Sequence, residues 1–138
     1  MKSRLIVAVV VVALISAVGI PGGKAMQQPK SGELSSSDGL RIMRALDTAE
    51  ASAFNSEPKY LSLEQLVRQR LIPGDKMGLT LNDSSSGMIK NYKVSVVVTA
   101  DGKHFAAALV PSDGCGAALF SDESDLIYEG RVLGCSDR

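Results

Sequence analysis

A single histidine, His104, and two cysteines, Cys115 and Cys135, are spread through 138 residues. Two thiols and one imidazole cannot complete a four-ligand zinc site without carboxylates, and their spacing matches no zinc motif. No G-x-S-x-G elbow supplies a nucleophile for the histidine, so the base-nucleophile pairing of acyl transfer has no visible carrier. Gly114-Cys115-Gly116 lacks both the Lys-Ser/Thr and the following helix of a phosphate loop, and it reads as a turn. Net charge is also missing: 15 basic residues face 15 acidic ones. Lys59, Arg68 and Arg70 make at most a modest basic edge, and a solvated helix face accounts for them. Neutralising a phosphate backbone needs more than that, so nucleic acid is not an expected partner. There are no internal repeats and no low-complexity tract.

What is present begins with the first 25 residues. Lys2 and Arg4 precede an uncharged apolar run, residues 5–20, and "PGGKA" follows with small residues at Gly23 and Ala25. That is the three-part layout of a secretory signal peptide over residues 1–25. The run is short beside the roughly 20 apolar residues of a bilayer span. Retention as a membrane anchor is the alternative, and only then is a membrane a partner. No cysteine follows the run to carry a lipid. Cleavage after Ala25 removes Lys2, Arg4 and Lys24 and leaves 12 basic against 15 acidic residues, a net charge of −3. The expected location is secreted, periplasmic or cell-surface. An exported chain with an even cysteine count is expected to bond them, here Cys115 to Cys135. A reversal at residues 121–125 would return the two ends within bridging reach.

Residues 26–38, "MQQPKSGELSSSD", are polar and rich in Ser, with Pro and Gly, and read as a flexible linker. A domain over residues 39–138 follows. "DGLRIMRALDTAEASAF" places Leu40, Met43, Leu46, Ala49, Ala53 and Phe54 near one stripe, which is helical spacing with a start at Ser37 or Asp38. Arg41, Arg44, Asp47 and Glu50 fall largely elsewhere, and Arg44, Asp47 and Thr48 read as a solvated face. Ser62 with Gln65 makes a capping box for a second, short helix, which Pro73-Gly74 stops. Its packing face is Leu63, Leu66, Val67, Leu71 and Ile72. Residues 75–91 read as loop, with "GLTL" as a short edge strand.

"SVVVTADGKHFAAALVP" is a hairpin around Asp101-Gly102. A two-residue loop there pairs Thr99 with His104, Val98 with Phe105, Val96 with Ala107 and Val94 with Leu109. Alternation then gathers Val94, Val96, Val98, Phe105, Ala107 and Leu109 on one buried face. Lys93, Ser95, Val97, Thr99, His104, Ala106 and Ala108 share the wetter one. "AALFSDESDLIYEGRV" is a second hairpin. The fold class expected is α+β: an N-terminal helix and a short second helix on one face of an antiparallel sheet of about four strands.

"RIMRALDTAEASAF", "YLSLEQLVRQRLI", "YKVSVVVTADG" and "AALFSDESDLIYEG" together resemble the globular part of type IV pilins and type II secretion pseudopilins. The resemblance spans about the last 100 residues. It implies a helix packed on an antiparallel sheet, and a disulfide near the C-terminus is common in that family. The chain departs from the family at its front. Its apolar run holds no acid, ends at Pro21-Gly22-Gly23 and gives way to a polar linker, so the usual assembly helix is missing. The function implied is a secreted, non-catalytic pilin-like domain that contacts proteins of the cell envelope or of a pilus or secretion machinery. The alternatives are a membrane-anchored pseudopilin component, or a small exported enzyme or inhibitor with an unrecognised site.

Asp122, Glu123 and Asp125 sit in one turn, with Glu129 following. Carboxylates and turn carbonyls are the hard oxygen donors calcium takes, and some pseudopilins bind it in C-terminal loops. No cofactor is otherwise expected, and a merely solvated acidic turn is the competing reading. His104 is expected on the surface.

Overall fold

The computed structural model describes residues 34–131. The proposed signal peptide, most of the linker and Cys135 lie outside them. Three helices, α1 (Ser36–Ser56), α2 (Leu63–Arg68) and α3 (Gly74–Met77), precede six strands: β1 (Leu79–Leu81), β2 (Ser86–Ile89), β3 (Tyr92–Val98), β4 (Phe105–Pro111), β5 (Ala117–Asp122) and β6 (Tyr128–Arg131). The strands form one antiparallel sheet in chain order, each paired with its sequence neighbour. The class is α+β as expected, with six strands rather than about four.

The first helix starts one residue earlier than its pattern suggests, because the Ser35 hydroxyl accepts from the Asp38 N–H and caps it. It packs over β4 and β5, while α2 packs beside β3. The capping box of α2 is complete: the Ser62 hydroxyl accepts from the Gln65 N–H, and Gln65 Oε1 accepts from the Ser62 N–H. Ser62→Ala should therefore cost about 1 kcal/mol in urea unfolding; no loss would mean that packing alone holds this helix. Met43, Leu46, Leu63, Leu66, Val94, Val96, Phe105 and Leu109 close the core between helices and sheet. Leu63 and Leu66 are fully buried, with Val67 and Leu71 packed at the edge.

The central hairpin has the expected register, Val98 with Phe105, Val96 with Ala107 and Val94 with Leu109. Its turn is different. The Gly102 N–H donates to the Thr99 carbonyl, and Gly102 alone in the turn has a positive φ, +70°. The loop is thus four residues long, 100–103, closed by the Thr99 N–H donating to the His104 carbonyl at 3.0 Å. Asp101 decides this: its carboxylate accepts from the Thr99 hydroxyl and the Lys103 N–H, which suits a right-handed Asp rather than a left-handed one.

Two further expectations are corrected. Residues 86–89 are a strand, not loop: the free edge of β3 recruits them, with Ile89 buried against the core and Gly87 facing Val94. And Asp47 does not lie on a solvated face of α1, nor does Glu50 lie away from its packed stripe. They are 7% and 0% exposed.

Candidate functional site

Asp47 and Glu50 stand three residues apart on α1, so they share the face turned to the sheet. Asp47 accepts a hydrogen bond from the Ser121 hydroxyl of β5 at 2.6 Å. Glu50 Oε2 accepts from the Leu61 N–H at 2.9 Å, and its Oε1 is buried with no partner among the described residues. Burial pushes the Glu50 carboxyl up to about 7, against the pull of the Leu61 N–H and with added repulsion from Asp47. Burial likewise raises Asp47; the Ser121 bond opposes this, while Asp125 and Asp122 reinforce it. Tyr60, stacked on Phe54 and tilted against Phe105, is raised by burial and then by Glu123, Asp125 and Glu50.

Beside this pair runs an open groove of about 580 Å³, between α1 and the connection from β5 to β6. Leu40, Arg44, Asp47 and Ala51 line the helix side, and Asp125, Leu126 and Ile127 the other. Asp125 holds a left-handed conformation, φ +58°.

The three carboxylates proposed for calcium serve separate partners. Asp122 accepts from the Ser124 N–H and hydroxyl within its own turn, Glu123 meets His104, and Asp125 lines the groove. Among the described residues no three His, Cys, Asp or Glu side chains converge as metal ligands would. His104 Nδ1 lies 2.7 Å from Glu123 Oε1, an exposed pair bridging the central hairpin to the acidic turn. The nearby hydroxyls of Thr99 and Ser124 are bound to Asp101 and Asp122. Cys115 falls in the β4–β5 connection, where its N–H donates to Asp113; its proposed partner Cys135 is beyond the described chain. Arg68 pairs with Glu64 along α2, and Arg70 is exposed with φ +58°.

A second candidate surface lies across the sheet. On the side away from the helices, register places Ser95, Ala108, Phe120 and Tyr128 in one row and Val97, Ala106 and Asp122 in the next. Val97 is 61% exposed, Phe120 43% and Tyr128 52%. Lys93 and Asp122 are the charges at its margins. Alternation had already put Val97 and Ala106 there. Phe120 and Tyr128 join them only once β5 and β6 are seen to pair.

Comparison with protein families, curated proteins and solved structures finds no match to this chain. Among the described residues no helix is long and apolar enough to cross a membrane.

Proposed function

We propose that the chain is a non-catalytic, exported interaction domain of pilin-like design, belonging to a bacterial cell-surface or secretion-related system. One observation carries the reading. The outer sheet face presents Val97, Ala106, Phe120 and Tyr128, and no described helix covers it. Contiguous exposed apolar surface of this kind marks protein contact more often than chance exposure does. Aromatic residues beside small ones give such a face large, rigid anchors with room between them. The helix-on-sheet layering and the short basic-apolar start of the chain support the same reading.

Val97→Glu with Phe120→Glu tests it. Both side chains are exposed, so stability should change by no more than about 0.5 kcal/mol each. Cross-linking in the native envelope should give a defined protein adduct with the wild type and lose it with the double variant. Equal adducts from both proteins would remove the sheet face as the contact surface.

A further inference from the structure

We infer that the groove between α1 and the β5–β6 connection receives a cationic side chain, lysine or arginine, of a protein partner. The inference rests on the interaction-domain reading for the class of partner and on the groove for its chemistry. Among the described residues the ion pairs are Arg41–Asp38 and Arg68–Glu64, and His104 lies against Glu123. Asp47 and Asp125 line the groove, and among the described residues neither has a cation within ion-pair distance. Arg44 lines the same groove and pairs with neither Asp47 nor Asp125. The groove thus holds two carboxylates against one guanidinium, an excess of negative charge with no bonded counter-ion among the described residues.

The shape fits the same occupant. Leu40, the exposed Leu126 and the half-buried Ile127 supply apolar walls, with Asp47 held in place by Ser121 between them. A lysine or arginine side chain has that profile, an aliphatic stem with a charged head. The volume of about 580 Å³ admits one such side chain with its flanking backbone. Arg44 at the groove can donate to a backbone carbonyl of the same segment. An anionic guest would meet Asp47 and Asp125 instead, so the groove selects by repulsion as well as attraction.

The probe is a capped pentapeptide, acetyl-Ala-Leu-Lys-Leu-Ala-amide, beside versions with norleucine or glutamate at the centre. It would be titrated into the isotope-labelled protein from residue 26 onward while backbone amide shifts are followed. The lysine peptide should move the amides of residues 44–51 and 125–127 saturably and at least fivefold more tightly than the norleucine peptide. Asp47→Asn, which keeps an acceptor for Ser121, should erase that preference, and Asp125→Asn should halve it or more. Equal binding of the lysine and norleucine peptides, tighter binding of the glutamate peptide, or no shift in these residues would each overturn the assignment. Failure here with the envelope adduct still dependent on Val97 and Phe120 leaves the interaction domain standing. Loss of that dependence with lysine selectivity intact removes the sheet-face contact and keeps the groove.

Discussion

Between pH 4.5 and 7 the protein should lose about 3 kcal/mol of stability, and Glu50→Gln should abolish most of that loss. The Glu50 carboxyl titrates near 7 when folded, against an ordinary value of 4.5. In that window the native state holds a proton that the unfolded chain has released, so stability falls as pH rises. Above 7 both states are ionised and the loss is complete. The shift, at about 1.4 kcal/mol per pH unit, sets the size. Asp47 is raised as well and acts in the same direction. Asp83, Asp101, Asp122 and Glu123 are lowered by their local hydrogen bonds and act in the opposite sense, but at more acid pH. A glutamine keeps an acceptor for the Leu61 N–H and cannot ionise. It also buries an amide where Oε1 had no partner, which costs about 1–3 kcal/mol at every pH. The decisive quantity is therefore the difference between variant and wild type, measured by urea unfolding at pH 5 and pH 8. That difference should move by about 3 kcal/mol in favour of the variant. Parallel curves would show that Glu50 does not titrate in this window.

Gly87→Ala should destabilise the fold by about 2 kcal/mol and release β1 from the sheet. A methyl group at position 87 would lie 2.7 Å from Leu79 Cδ1 and 2.7 Å from the Thr80 carbonyl oxygen. The leucine can turn away, but the carbonyl is backbone and moves only if β1 moves. β1 has three residues and one partner, so it is the element that yields. Amide hydrogen exchange should show faster exchange in residues 79–81 while residues 92–98 stay protected. Unchanged protection of β1 would mean that the edge absorbs the methyl without separating.

The legible part of the fold was the part with strong periodicity. Val94, Val96, Phe105, Ala107 and Leu109 fix their face by alternation, and the bonded Ser62–Gln65 pair marks the start of α2 by residue type alone. Residues 86–89 were not legible because Ser-Gly-rich runs favour turns locally. Their strand exists because β3 offers an unpaired edge, which is a tertiary cause. Asp47 and Glu50 were misplaced for a related reason. Charge argues for the surface unless a partner is known, and their donors, Ser121 and the Leu61 N–H, lie 74 and 11 residues away. A signal was available: both fall on the same side of the helix as Met43 and Leu46, at spacings of three and four. The groove inherits the same obscurity, since Asp47 and Asp125 meet only through the sheet.

Because the strands pair only with their neighbours in sequence, the sheet can assemble as a succession of hairpins while the chain emerges. Short-range pairing of this sort favours rapid folding. The first helix is the exception. It is made earliest, yet its packing surface, β4 and β5, is made near the end. Met43, Leu46 and the Asp47–Glu50 pair must therefore wait through more than 60 residues of synthesis or translocation before they are covered. A chain interrupted before β5 would display an amphipathic helix over a half-built sheet, the kind of surface that quality-control factors bind. Completion of the fold is thus timed by the arrival of Ser121 rather than by the formation of the central hairpin.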